Sequence, residues 1–89
     1  LLVWSDLYPV IDRLYDNFHT RLIDYYGNTI TEKEVQICCL LCAGFSTKEI
    51  GVITQQSDAT IYVRKTTIRK KIGVAEGQDI VTYINRVKG

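Results

Sequence analysis

The fold is decided by residues 44–61, which read GFSTKEIGVITQQSDATI. Ser46 and Glu49 have the spacing of a capping box, in which each side chain bonds the backbone N–H of the other residue at a helix start. Ser57 offers a second N-cap eleven residues later. The stretch therefore predicts a helix at residues 46–53 and the start of a second helix, which runs from 57 to 72. A tight turn at residues 54–56 joins them.

Similar signals repeat on both sides of this stretch. Thr31 and Glu34 form another capping box. Gly44 and Gly73 stand where helices are expected to end, because glycine readily adopts the left-handed conformation of a helix C-terminus. Together these signals predict a domain of four helices, near residues 31–43, 46–53, 57–72 and 78–87.

An additional amphipathic helix is predicted before this domain, within residues 1–28. Its apolar residues recur at steps of three or four, which is the period of one helical face; they are Trp4, Leu7, Ile11, Leu14, Phe18, Leu22 and Tyr25. Pro9 must lie in the first turn of this helix or kink it. We favour packing of this stripe on the domain at residues 29–89, with pairing to a second copy as the alternative.

Residues 60–68 favour a strand by composition, because they are rich in β-branched and aromatic side chains. Strand alternation, however, gives no clean apolar face here. Ile61, Ile68 and Ile72 instead share one face of a helix, and the aliphatic stem of Lys65 lies between them. A helix is therefore predicted, and the whole chain is predicted to be all-α.

Charge is distributed unevenly, although the net charge is only +1. Residues 1–29 carry −2, from four Asp and two Arg, whereas residues 46–72 carry +4, from six bases and two acids. Five of those bases lie within residues 64–71. Such a cluster is typical of a phosphate-binding surface; from charge alone, a solvated helix face is the alternative.

The three cysteines, at positions 38, 39 and 42, are predicted to pack in the core. An odd number does not suit a disulfide framework, and a thiolate metal site takes ligand pairs from two segments. No metal or cofactor is expected, and reduced thiols agree with a cytoplasmic location. His19 is the single histidine and has no triad arrangement around it, so the chain is not expected to be an enzyme.

Four short motifs follow one another in a fixed order, Ile30-Thr31-x-x-Glu34, Leu40-Leu41-x-x-Gly44-Phe45-Ser46-Thr47-Lys48-Glu49-Ile50, Ser57-x-x-Thr60-Ile61 and Ile68-x-Lys70-Lys71-Ile72-Gly73-Val74. In this order and spacing, residues 30–84 resemble the LuxR-type helix-turn-helix family. The resemblance implies a four-helix DNA-binding domain at the C-terminus of a larger bacterial transcriptional regulator with an upstream sensor domain. The absence of Met agrees with a piece of a larger chain.

The resemblance also implies which residues contact double-stranded DNA, through a helix that fits the major groove. By family position, the base-reading residues are Tyr62, Val63 and Thr66. The phosphate-contacting residues are Thr47, Lys48, Thr60, Arg64, Lys65, Arg69 and Lys70. The family often has Lys where Tyr62 stands and His where Arg64 stands, so its base preference is not carried over to this chain.

The predicted function is sequence-specific DNA binding as the output domain of a bacterial transcriptional regulator. Two alternatives are a helix-turn-helix scaffold for protein–protein interaction and a sigma-factor-like region that binds promoter DNA and polymerase. Further expected partners are RNA polymerase and a second copy of the chain. That copy would pair through the N-terminal helix or through the apolar face of the last helix, formed by Ile80, Val81 and Ile84. The location is expected to be cytoplasmic, with or without a membrane tether on the parent chain.

Overall fold

The computed structural model describes residues 2–86, which form six α-helices. They are α1 (Trp4–Leu14), α2 (Phe18–Tyr26), α3 (Glu32–Cys42), α4 (Thr47–Thr54), α5 (Asp58–Ile72) and α6 (Ile80–Arg86). No strand occurs in this part of the chain, which confirms the all-α prediction. Among these six helices, none combines the length and the apolar run that a bilayer crossing requires.

The predicted helix starts are confirmed by their hydrogen bonds. At α3, the Thr31 N–H donates to Glu34 Oε1 at 2.8 Å, and the Glu34 N–H donates to Thr31 Oγ1 at 3.3 Å. At α4, the Ser46 N–H donates to Glu49 Oε1 at 2.8 Å, and the Glu49 N–H donates to Ser46 Oγ at 3.1 Å. Ser57 caps α5 with its hydroxyl. Local capping chemistry thus fixes where α3, α4 and α5 begin.

Helix α3 lies at the centre of the molecule and contacts each of the other five helices. Six of its eleven residues are buried: Glu34, Val35, Ile37, Cys38, Cys39 and Leu40. A helix that is covered on all sides is apolar all round rather than striped. Helices α1, α2, α5 and α6 add their own buried residues to the same core: Ile11, Phe18, Leu22, Ile61, Ile68, Ile72, Ile80 and Ile84.

The N-terminal segment forms two helices, which corrects the prediction of a single one. Asp16 and Asn17 adopt left-handed backbone conformations, with φ of 55° and 59°, and these end a right-handed helix. The Asn17 N–H donates to the Asp12 carbonyl at 2.8 Å. The Asp12 carboxylate then accepts the Thr20 N–H at 3.0 Å and the Thr20 hydroxyl at 2.6 Å. Asp12 therefore closes α1 with its backbone and caps α2 with its side chain.

This break changes which residues face the core. Leu14 is 65% exposed and Tyr25 is 40% exposed, although both belong to the predicted stripe. Tyr8 and Tyr26 pack against the core instead. The three residues between α1 and α2 are not helical, so the buried face of α2 does not continue the buried face of α1. A single helical period drawn across both helices therefore assigns some side chains to the wrong face. Pro9 lies in the second turn of α1 rather than the first.

The last helix corrects a second expectation. Its predicted dimer face includes Ile80 and Ile84, yet these side chains are only 1% and 2% exposed because α6 packs them against α3. Val81 is half-buried. The predicted range of this helix, 78–87, ends at a residue outside the described part of the chain. The face formed by Ile80 and Ile84 is a core face and cannot pair with a second copy.

The cysteines follow the core-packing prediction in part. Cys38 and Cys39 are fully buried, whereas Cys42 is half-buried. Desolvation by burial raises the pKa of Cys38 to about 12 and that of Cys42 to about 11, although Arg21 opposes the shift at Cys42. Within residues 2–86, no group of three His, Cys, Asp or Glu side chains is close enough to hold a metal ion.

Candidate nucleic-acid interface

Helices α4 and α5 form the helix-turn-helix pair, and their turn closes against Gly51. Gln55 ends α4 in a left-handed conformation with φ of 58°. The Gln56 N–H donates to the Gly51 carbonyl at 2.8 Å. A Cβ on Gly51 would lie 2.7 Å from the Gln56 carbonyl oxygen, which is too close for any other residue type. In the sequence, the only signal of this contact is a glycine inside a predicted helix.

The three predicted base readers lie exposed on α5. Tyr62 is 61% exposed, Val63 is 66% exposed and Thr66 is also exposed. Ile61 and Ile68 anchor the opposite face in the core. The helix has 15 residues and is therefore about 22 Å long, and its diameter of about 10–12 Å with side chains fits a major groove about 12 Å wide. The three side chains are uncharged and carry methyl groups, hydroxyls and an aromatic ring, which are groups able to contact base edges in a groove.

Thr66 is already hydrogen-bonded within its own helix. Its hydroxyl donates to the Tyr62 carbonyl at 3.0 Å. This bond occupies the single proton of the hydroxyl and leaves its oxygen as an acceptor. In this arrangement, Thr66 presents a methyl group and an acceptor to a groove.

Lys65 and Thr47, two predicted phosphate anchors, lie together where α4 meets α5. Lys65 Nζ donates to Thr47 Oγ1 at 3.2 Å and lies 5.8 Å from the centre of the Tyr62 ring. Desolvation and the positive charge of Arg69 lower the pKa of Lys65, whereas Asp79 opposes them. Lys65 is half-buried, so it links the two helices in addition to presenting charge.

A hydrogen bond to a residue of the turn orients the Arg64 side chain. Its Nε donates to Gln56 Oε1 at 2.6 Å, and both residues are half-buried. Gln56 was not among the predicted site residues, because a contact between residues eight positions apart depends on how the turn folds. The remaining donors of Arg64 are its two Nη groups.

The other predicted anchors differ in accessibility. Lys48 and Lys70 are exposed, and Thr60 is half-buried with its hydroxyl 2.9 Å from that of Ser57. Arg69 is also half-buried, and its Nε is buried with no hydrogen-bond partner within residues 2–86. Lys48 and Lys70 are therefore the cations of this set best placed for an outside phosphate.

Lys71 belongs to the sequence cluster of bases but not to this surface. Its Nζ lies 2.8 Å from Glu34 Oε1 and ties the end of α5 to the start of α3. Burial acts to raise the pKa of Glu34, but hydrogen bonds from Lys71 and Thr31 outweigh it and hold that pKa below its usual value. The negative charge of Glu34 thus offsets one of the five bases.

Comparison with known families gives a match that covers the helix-turn-helix pair. The family described as "GerE: Bacterial regulatory proteins, luxR family" matches residues 28–84, which is more than half of the chain. The matched segment contains α3 to α5 and most of α6. Searches among curated proteins and among solved structures found no significant match.

Proposed function

Since the chain belongs to the luxR family of bacterial regulatory proteins, a non-catalytic family whose helix-turn-helix domains typically bind DNA, we propose that it binds double-stranded DNA sequence-specifically as the output domain of a transcriptional regulator. Helix α5 is the proposed reading element. It lies in the major groove, with its core face turned toward α3.

The observation that carries this proposal is the outer face of α5. Tyr62, Val63 and Thr66 form an exposed, uncharged patch within two helical turns. The exposed Lys70 continues the same face one turn later, and Arg64 borders it. The proposed base readers thus lie beside the proposed phosphate contacts, and protein–DNA interfaces divide specificity and positioning between these two kinds of contact.

The test begins with selection of bound sequences from random duplex DNA by the purified chain. The affinities of the wild type and of each variant are then measured for the selected site and for random DNA. Tyr62→Ala and Thr66→Ala are each expected to remove about 1–3 kcal/mol of the preference for the selected site over random DNA, since each deletes base contacts. Affinity for random DNA should change little. Tyr25→Ala, at an exposed tyrosine on α2, is the matched control and should leave both affinities unchanged.

Two outcomes would favour the alternatives. If both α5 substitutions leave the preference intact, α5 is not the reading element, and a protein-binding scaffold becomes the better explanation of the same surface. If unrelated duplex DNA fails to compete with a bound acidic protein, the basic surface serves protein rather than nucleic acid.

A second copy of the chain is the partner proposed beside DNA. With Ile80 and Ile84 in the core, one set of at least partly exposed apolar residues follows α1 at steps of four, three and four: the N-cap residue Val3, then Leu7, Val10 and Leu14. This spacing is that of a coiled-coil seam. We call these four residues the α1 stripe; Leu7 is half-buried and the other three are exposed.

The charges beside the α1 stripe favour an antiparallel pair. Asp6 and Arg13 are exposed and have no ion-pair partner within residues 2–86. An antiparallel two-fold arrangement places Asp6 of one copy beside Arg13 of the other, twice by symmetry. An upstream sensor domain, RNA polymerase as a partner and a cytoplasmic location remain predictions.

A further inference from the structure

Gln56 has a fixed position relative to α4. Its N–H donates to the Gly51 carbonyl at 2.8 Å, and its own carbonyl oxygen lies against the bare Cα of Gly51. The preceding residue, Gln55, holds the left-handed conformation that turns the chain toward α5. The backbone from which the Gln56 side chain extends is therefore fixed by the hydrogen bonding and close packing of the turn.

This side chain selects one orientation of the Arg64 guanidinium. Gln56 Oε1 accepts the Arg64 Nε–H at 2.6 Å. A guanidinium is a rigid planar fork with one donor on Nε and four on the two Nη atoms. Because Gln56 already accepts the Nε–H, the two Nη groups at the end of the guanidinium stay available for a second ligand. Within residues 2–86, Arg64 has no further hydrogen-bond partner.

We propose that Gln56 is a positioning residue that presents the Nη edge of Arg64 to a DNA phosphate. The inference rests on the proposed function, since it assumes that α5 lies in a DNA groove. An arginine held in one orientation loses less conformational freedom when it binds phosphate than a free one does, and two parallel N–H donors match the geometry of two phosphate oxygens. Gln56 itself makes no contact with DNA.

A double-mutant cycle tests the coupling between the two residues. Affinity for random duplex DNA is measured for the wild type, Gln56→Ala, Arg64→Lys and the double variant, across a salt series. Gln56→Ala is expected to weaken binding about five-fold, because a freely rotating Arg64 side chain must then be immobilised when it binds DNA, at a cost of about 1 kcal/mol. Arg64→Lys keeps the charge but has no Nε–H, so Gln56→Ala in that background should weaken binding less than about two-fold further.

Three controls separate positioning from damage to the turn. Gln55→Asn shortens the neighbouring amide, suits a left-handed residue, and should bind DNA like the wild type. Thermal unfolding midpoints show whether each variant keeps its fold. Gln56→Glu keeps an acceptor for Nε but adds a negative charge beside Arg64, and it should make the dependence of log affinity on log salt shallower by up to about one unit.

The inference is overturned if Gln56→Ala weakens binding by the same factor in both backgrounds, because the effect then comes from the turn and not from Arg64. It is also overturned if Gln56→Ala leaves binding unchanged. A wild type that does not bind duplex DNA at all would remove the proposed function and this inference with it. A wild type that binds while the cycle shows no coupling would remove the inference alone.

Discussion

At the scale of single residues, the structure divides the basic cluster of residues 64–71 by partner. Lys71 is paired with the buried Glu34, Lys65 with Thr47 and Arg64 with Gln56. The sequence shows the charges but not these partners, because each pairing depends on which helices meet. Lys70 and Lys71 are neighbours in sequence yet belong to different parts of the molecule.

These two lysines offer a matched comparison. About five phosphate-contacting cations predict that log affinity for DNA falls with log salt at a slope of roughly −4 to −5. Lys70→Ala should make this slope shallower by about one unit and leave the free energy of unfolding unchanged. Lys71→Ala should leave the slope unchanged and lower the free energy of unfolding by about 1–2 kcal/mol, because the buried Glu34 carboxylate loses its cationic partner and keeps only the bond from Thr31.

Salt titrations of binding and denaturant unfolding of the same two variants check this pair of expectations. A shallower slope for Lys71→Ala would mean that Lys71 leaves Glu34 to contact DNA. An unchanged slope for Lys70→Ala would contradict its assignment as a phosphate anchor.

At the scale of elements, the starts of α3, α4 and α5 were predictable because the capping boxes of α3 and α4 and the Ser57 N-cap of α5 are each complete within four residues. The break between α1 and α2 was not. The predicted apolar stripe crosses the break from Leu14 to Phe18 at a helical step of four, and nothing in that pattern reveals the two successive left-handed residues, Asp16 and Asn17. The break is stabilised by Asp12, which accepts hydrogen bonds from Asn17 and from Thr20. These bonds form only in the folded turn, so the sequence pattern does not show them.

Asp12→Ala tests this explanation of the break. Loss of the two hydrogen bonds to Thr20 should lower the free energy of unfolding by about 1 kcal/mol, the usual cost of losing a helix cap. Although desolvation acts to raise it, the bonds from Thr20 hold the pKa of Asp12 below its usual value of 3.8. The carboxylate therefore stabilises the fold above pH 3.8, and this contribution is lost as pH falls through the lowered pKa.

Denaturant unfolding of the wild type and Asp12→Ala at several pH values measures this difference. It should be constant near neutral pH and shrink in acid below pH 3.8. Asp24→Ala on the exposed surface of α2 serves as the control and should show no such change. A difference that persists undiminished in strong acid would rule out the carboxylate as the source of the cap.

At the scale of the whole molecule, self-association is the property that the exposed surface of α1 predicts. Asp6→Arg alone and Arg13→Asp alone should each weaken pairing, because like charges then meet across the two-fold axis. The double variant should restore it. Ser5→Arg, on an exposed position of α1 outside the α1 stripe, is the control for added charge.

Analytical ultracentrifugation over a range of concentrations, without DNA, measures this pairing. Leu14→Lys, within the α1 stripe, should abolish it. A monomeric wild type at every concentration, or a dimer that both the charge swaps and Leu14→Lys leave intact, would exclude the α1 stripe as the interface. Neither result bears on DNA binding, since α5 takes no part in this surface.

The central position of α3 has a thermodynamic consequence for regulation. Because α3 packs against both the N-terminal helices and α5, the folded state of the reading helix is linked by mass action to whatever holds α1 and α2 in place. A ligand or neighbouring domain L that binds only the folded N-terminal pair stabilises the folded chain, α5 included, by RT ln(1 + [L]/Kd). Binding at the N-terminal helices can therefore increase the fraction of chains in which α5 is folded, without any change in the folded structure itself.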